Sequence, residues 1–327
     1  MEQKKWLLTG ITGMDASHCA DILLNRGQKI YGMIRRTSTD NLWRLRYLNL
    51  LNNSNFTFCH GDLCDTSGIN GIIKNIQPDY IIHLAAQSHV GYSFKNPLST
   101  FDINANGSLR LFEAVRQFSP HSRIYNACTS ECFGNAPCSE NGYNEESPFY
   151  PASPYAISKI SSFYSGKHYR DAYNLFICNG LVFNHSSFLR SPQFAFSRIC
   201  QGAAQCYCGI VNNLPLGNID TYRDIGYSPD YCNAFMLMVQ QDIPDDYVIA
   251  TGETHKIREI CEIAFNYFGL NYQDYITQNE SLLRPKDVQR LLGDSTKFRN
   301  KTGWIPQVTF EENIHKTCDF WLKREER

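Results

Sequence analysis

No stretch of this 327-residue sequence is apolar for long enough to span a bilayer, and the opening MEQKKWLLTG holds too few apolar residues for a signal peptide. An excess of either charge is also missing, since 31 basic residues stand against 32 acidic ones for a net charge of −1. That balance leaves no electrostatic footprint for nucleic acid or an anionic membrane, so any phosphate must be held by local groups. Paired C-x-x-C spacing is absent too: the 13 cysteines are scattered, and the closest sets, Cys128 with Cys132 and Cys206 with Cys208, do not suit zinc. Free thiols in a reducing compartment follow. The expectation is a soluble, cytoplasmic protein with no metal, no nucleic-acid partner and no membrane partner.

What is present is a regular first half. Short runs rich in branched residues, namely KWLLT, KIYGMI, FTFCH, YIIHLA, RIYNA and LFICNGLV, alternate with segments of helical period such as SHCADILLNRG, STFDINANGSLRLFEAVRQF and SPYAISKISSFYSGKHYRDAY. This alternation predicts an α/β fold, a Rossmann-type doubly wound parallel sheet with a smaller C-terminal substrate-binding region. Beyond Phe183 the regularity fades into loops, and helical patterns return in PDYCNAFMLMVQQ, IREICEIAFNYFG and FEENIHKTCDFWLKREE. We therefore expect residues 1–183, joined by 224–250, to form a dinucleotide-binding domain. Residues 184–223 and 251–327 would form the substrate region.

The segment TGITGMDA after the first strand spaces Gly10 and Gly13 as G-x-x-G, with Asp15 in the turn that follows. Glycine there permits a tight turn and brings backbone N–H groups and the positive end of a helix to a pyrophosphate. Ala16 stands where a third glycine is usual. After the second strand, where an NAD site carries an acid, this chain has Arg35 and Arg36, which suit a 2′-phosphate and favour NADP; the alternative is a solvated surface pair. GDLCD would set Asp62 and Leu63 at the adenine side, unless Asp62 is only a helix cap, and LAAQSHV offers Leu84, Ala86 and Ser88 along the cofactor.

Tyr155 and Lys159 lie four apart in a helical segment, so both project from one face. A phenol, with a reference pKa of about 10, becomes a usable base when an ammonium stabilises the phenolate. The strand RIYNA ends at Thr129 and Glu131, and strand ends in a parallel sheet face the ligand. Thr129 would share the hydrogen bond of a substrate hydroxyl with Tyr155. Glu131 is surplus to simple oxidation: it would remove the acidified proton beside a new ketone and help water leave, or else bond a loop backbone.

The segments LLTGITGMD, HGDL, IQPDYIIHLAAQSHVGYSFKNP, TSE, SPFYPASPYAISK, CNGLVFNH, LGNIDTYRD, DYVIATG, RPKDVQRLLGD and GWIPQVTFEE cover nearly the whole chain. In them the sequence resembles the extended short-chain dehydrogenase/reductases, and within those the GDP-mannose 4,6-dehydratase family. The resemblance implies a tightly bound NADP, oxidation at carbon 4 by Tyr155 with Lys159 and Thr129, and elimination across carbons 5 and 6 by Glu131. It also implies a GDP-sugar held by Ser88, Asn184, Arg198, Arg223, Arg284 and Asp287, and a homodimer or homotetramer in which RRTST takes part in subunit contacts. The chain departs from the family at Ser186, where a carboxylate is usual, and at Cys132 and Phe133, where Leu and Tyr are usual. A remodelled sugar pocket, and with it a GDP-heptose in place of GDP-mannose, is one expectation from these departures. A reductase or epimerase on the same scaffold, or a non-catalytic NADP-binding regulator, are the other readings.

Overall fold

A computed structural model of the chain describes residues 2–283 and 285–326. Its centre is a seven-stranded sheet of β1 (Lys5–Thr9), β2 (Lys29–Ile34), β3 (Phe56–His60), β4 (Tyr80–His83), β5 (Arg123–Ala127), β6 (Ile177–Val182) and β7 (Asp246–Ile249). The spatial order is β7-β6-β5-β4-β1-β2-β3, and every pairing is parallel. Strand order therefore reverses between β1 and β4, which opens a crevice at their carboxyl ends. The six strands expected from sequence are all present, and four of them both begin and end on the residues expected. β7 is an addition: with four residues headed by an aspartate, DYVI is too short to carry a periodic signal.

Alternation along each strand divides the core into two layers. On one face Leu8, Ile82, Tyr125 and Cys178 pack with α1 (Met14–Asn25) and with the later helix Ser228–Val239. On the other, Leu7, Ile81, Ile124 and Ile177 pack with α3 (Thr66–Ile76), α4 (Gly107–Phe118) and α5 (Pro154–Tyr173). A short helix, α2 (Trp43–Tyr47), follows β2. The long helical segment leading into α4 contains a π turn at Asp102–Asn106. This places Asn104, only 1 % exposed, where its side chain accepts from Gln87 N and donates to Gln87 O and to Ser158 Oγ on α5.

A second core lies between α6 (Ala195–Tyr207), the helix Ile257–Tyr267 and the C-terminal helix Phe310–Glu325, filled by Ile199, Ala203, Ile260, Phe265, Ile314 and Trp321. The sequence reads as loop over α6. Its buried stripe is built largely from Ala, Gly and Cys, which pack closely but contribute little to an apolar pattern. Short ladders join this region to the sheet, among them Asn184–Ser186 beside Ile225–Tyr227 and Tyr222–Arg223 between His255–Lys256 and Arg290–Leu291.

Asp224 fastens these ladders together. Its fully buried carboxylate accepts from Thr251 N, Thr251 Oγ1 and Gly252 N at 2.9, 2.7 and 2.9 Å and from Gly293 N at 3.3 Å. Burial pushes its pKa up to about 6, against the pull of those donors. A carboxyl raised in the folded state binds its proton more tightly there than in the unfolded chain, so its contribution to stability is full below about pH 4 and is lost as pH rises through 6. Asp224→Asn should cost roughly 3 kcal/mol by leaving two backbone N–H groups without acceptors. Denaturant melts should show the gap to wild type widening as pH falls from 7 to 4, because the variant lacks that protonation.

Candidate functional site

Gly10 leaves β1 with φ at +72°, and a Cβ on it would lie 2.9 Å from Ala85 Cα, so only glycine lets the β1 turn rest against the loop after β4. Gly13 then caps α1 in an extended conformation, and its N–H donates to Gly10 O at 2.9 Å. The β4 loop is held from below by Thr9, whose Oγ1 accepts from Leu84 N and Ala85 N, both at 3.0 Å. With both lone pairs engaged, the hydroxyl proton goes to His83 Nδ1 at 2.9 Å, which leaves Nε2 to donate to Ser108 Oγ at 3.1 Å. This neutral tautomer agrees with a His83 pKa pushed down to about 3 by burial and then by Lys159.

Arg35 and Arg36 stand exposed beyond β2. Arg35, Asp62 and Leu63 line a cavity of about 1440 Å³ that begins at Gly10 and reaches Arg198. Asp62 also accepts from Cys64 N at 3.0 Å, so it turns the loop as well as facing the cavity. Asp15 is committed elsewhere: His185 Nε2 lies 3.0 Å from its Oδ2, and Ser228 Oγ donates to Oδ1 at 2.7 Å. Burial alone would raise this carboxyl, but His185, Arg190 and Ser228 together hold it well below the carboxylate range.

A second cavity, of about 460 Å³, brings Thr129, Glu131, Tyr155 and Lys159 together, with Leu84, Ala86 and Ser88 on its cofactor-side wall. Thr129 caps a short 3-10 turn, Ser130–Cys132, by accepting from Glu131 N at 3.2 Å, which folds the chain so that both side chains are 7 % exposed at the cavity wall. Tyr155 enters on the first turn of α5, started by Pro154 and by Ser153, whose Oγ accepts from Ala156 N at 3.1 Å. Lys159 donates from Nζ to Ala127 O at the end of β5 at 2.8 Å. Burial holds the Tyr155 phenol well above its usual range and the hydrogen bond with Thr129 pulls it back, while burial lowers the Lys159 ammonium. The main opposition to burial at the phenol therefore comes from Thr129.

Asn184, Arg223 and Asp287 meet in a third cavity of about 230 Å³, where Arg223 Nη2 donates to Asp287 Oδ1 at 3.2 Å. Arg198 faces the first cavity instead and donates to Pro215 O at 3.0 Å. Arg284, also expected at the substrate, lies outside the described residues. Arg190 was not singled out from sequence, although it sits in NHSSFLRSPQF. It lines both the Tyr155 cavity and the third cavity, stacks on Phe194 at 3.9 Å, and has its guanidinium pKa lowered by burial and raised by Asp15 and Tyr155. Neither Cys132 nor Phe133 is on the wall of the second cavity. The Cys132 thiol points at Ala156 O, and Phe133 stacks flat on Tyr143 at 4.7 Å inside an aromatic cluster. Among the described residues no cluster of His, Cys, Asp and Glu could hold a metal, and no helix is long and apolar enough to cross a membrane.

A doubly wound parallel sheet with Thr, Tyr and Lys converging at its carboxyl edge defines the class of extended short-chain dehydrogenase/reductases. UDP-glucose 4-epimerase of Thermus thermophilus, solved in complex with NAD, superposes with a TM-score of 0.85 at 25 % identity over 97 % of this chain and 98 % of that one. dTDP-glucose 4,6-dehydratase of Bacillus anthracis, also with NAD, shares the fold with the same TM-score of 0.85 at 23 % identity over 99 % and 98 %. The family described as GDP-mannose 4,6 dehydratase matches residues 7–317, and the chain belongs to it. GDP-mannose 4,6 dehydratase 2 of Arabidopsis thaliana is 40 % identical over 321 residues, covering 96 % of this chain and 85 % of that protein. The Homo sapiens GDP-mannose 4,6 dehydratase is 36 % identical over 333 residues, covering 95 % and 89 %.

The Gly10 turn carries a direct test. Gly10→Ala should lower unfolding free energy by roughly 2 kcal/mol, because the added methyl combines left-handed strain with a backbone clash. Denaturant titration would register this as a lower midpoint with an unchanged slope.

Proposed function

We propose that this chain is an NADP-dependent GDP-sugar 4,6-dehydratase, a hydro-lyase converting GDP-mannose or a close relative such as GDP-manno-heptose to the GDP-4-keto-6-deoxy sugar. The observation that carries this reading is the acid Glu131 on the same cavity wall as Thr129, Tyr155 and Lys159. A dehydrogenase needs only the last three. Membership in the GDP-mannose 4,6 dehydratase family supports it.

The residues at the crevice fit a dinucleotide. A cradle at Gly10 that a Cβ would fill and the α1 N-terminus behind Gly13 suit a pyrophosphate. Arg35 at the end of β2 suits a 2′-phosphate, with Arg36 beside it, Asp62 and Leu63 toward the adenine, and Leu84, Ala86 and Ser88 along the remainder. When bound, the cofactor supplies reversible hydride exchange with the sugar. Asp15 acts here through His185, holding the substrate-side strand against α1.

Tyr155 takes the proton of the 4-hydroxyl, and Thr129 shares that hydrogen bond and opposes the effect of burial on the phenol. Lys159, anchored on Ala127 O, holds positive charge beside the site. Glu131 removes the carbon-5 proton, made acidic by the new ketone, and its proton leaves with the carbon-6 hydroxyl as water. Arg223, oriented by Asp287, receives the diphosphate side of the nucleotide sugar with Asn184 and Arg190, while Arg198 faces the first cavity. In this reading residues 1–183 with 224–250 serve the cofactor, and 184–223 with 251–327 serve the GDP-sugar. Five exposed apolar side chains, Leu98, Phe101, Leu109, Ile157 and Tyr164, lie on the paired segments 97–118 and 154–173 and support a homodimer or homotetramer.

Purified protein given GDP-mannose and, in parallel, GDP-manno-heptose should form a 4-keto-6-deoxy product from at least one of them without added reductant. Glu131→Gln should lower that rate by about 100-fold or more. Stoichiometric consumption of NADPH, or a rate indifferent to Glu131→Gln, would instead favour the reductase or epimerase reading. Replacing Arg35 and Arg36 together by Ala should weaken NADPH binding by roughly 30-fold while changing NADH little, as measured by fluorescence titration.

A further inference from the structure

We infer that Arg44 is a positioning residue for nucleotide-sugar binding that acts through Arg190, a role that rests on the GDP-sugar reading above. Arg190 lines both the Tyr155 cavity and the third cavity, so a molecule with its sugar in one and its diphosphate in the other must pass it. Arg44 lies far away in sequence, on α2, yet its Nε donates to Leu189 O at 2.7 Å. That oxygen belongs to the peptide that joins Leu189 to Arg190. The N–H of the same peptide donates to Ser187 O at 2.9 Å. Both edges of the peptide plane are therefore fixed, and with them the direction in which the Arg190 side chain leaves the backbone.

The rest of this turn is held as firmly. Ser187 Oγ lies 2.8 Å from His18 Nε2 on α1 and accepts from Leu189 N at 3.2 Å. Phe188 packs on His18, Tyr47 and Phe320, and the Leu189 side chain is fully buried. Ser197 Oγ donates to Arg190 O at 2.8 Å, and the Arg190 guanidinium stacks on Phe194. Arg44 joins this turn to the cofactor side, since its Nη1 donates to Thr12 O at 2.9 Å while its guanidinium lies over Trp43 at 4.4 Å. The rigid fork of a guanidinium can hold two carbonyls of separate loops at once, which the single nitrogen of a lysine does poorly. Burial and then Arg190 lower the Arg44 pKa to about 10, so the group stays charged at neutral pH and its bonds are of the stronger, charge-assisted kind. The two guanidiniums repel, with Asp15 as the opposing charge on both. The bond to Leu189 O thus keeps Arg190 near Arg44 against a repulsion that a bound diphosphate relieves.

The test is a double-mutant cycle read by calorimetric titration of GDP into enzyme saturated with NADPH, which holds the Thr12 side constant. Arg44→Met keeps an apolar stem against Trp43 but removes both bonds. It should weaken GDP roughly fivefold, and Arg190→Met should weaken it roughly tenfold or more. The double variant should bind GDP as Arg190→Met does, to within about twofold, because Arg44 then has nothing left to position. Arg44→Lys serves where the methionine variant does not fold: it should show a smaller loss that again vanishes in the Arg190→Met background. Losses that multiply in the double variant would make Arg44 an independent contact or a general support, and overturn the inference. Wild-type affinity in the Arg44 variants would overturn it too. Should Arg190→Met bind GDP as wild type does, the inference falls while the nucleotide reading stands. Failure of the wild-type protein to bind GDP would mean that the reading itself has failed, and the inference with it.

Discussion

Helix α5, which carries Tyr155 and Lys159, is clamped to the sheet by a row of buried polar side chains, and the geometry of the second cavity depends on that clamp. Asn126 on β5, Asn179 on β6 and Asp246 on β7 stand directly opposite one another in the parallel register. Asn126 donates to Asn179 Oδ1 and Asn179 to Asp246 Oδ1, both at 2.8 Å. Each end of the row returns to α5: Ser162 donates to Asn126 Oδ1 at 3.1 Å, and the Arg170 guanidinium grips both Asp246 oxygens at 2.9 Å. Gly166, midway between, lets the helix sit low, since a Cβ there would come within 2.6 Å of Asn179 Oδ1. A fully satisfied network in a low-dielectric core admits one arrangement, so the register of α5 on the sheet, and with it the reach of Tyr155 and Lys159, is set further along the helix, between Ser162 and Arg170.

The three cavities follow from the same arrangement. The carboxyl ends of the strands form one long trough, in which the glycine turn after β1 provides space for phosphate, the turn after β5 provides an acid and a hydroxyl, and the ladders around Asp224 provide Arg223. Charge is kept local along it. Asp15 is matched by His185 and Asp287 by Arg223, while Arg190 is placed between chambers where a diphosphate would pass. This explains how a chain with a net charge of −1 can hold a doubly anionic ligand.

Most of the sheet was legible because buried parallel strands are short apolar runs, and runs such as KIYGMI contain little else. The Gly10 turn was legible for a similar reason: the local conformation demands a particular residue type. What stayed hidden depends on tertiary register. Asn126, Asn179 and Asp246 each look like an interruption of a strand, and only their alignment across three strands makes them a clamp. α6 was obscured by its small residues, and Arg190 by a loop that has no period. The departures at Cys132 and Phe133 were legible as differences from the family, but that their side chains pack behind the wall of the second cavity could be seen only once the turn after β5 was folded.

The central claim is that one cavity both oxidises carbon 4 and expels water across carbons 5 and 6, so that the hydrogen removed is given back within the same turnover. GDP-mannose carrying deuterium at carbon 4 tests this most directly, with enzyme as purified and no added nicotinamide. The account predicts a 4-keto product in which that deuterium is found at carbon 6. Deuterium lost to solvent, retained at carbon 4, or accumulated in free NADPH would contradict it.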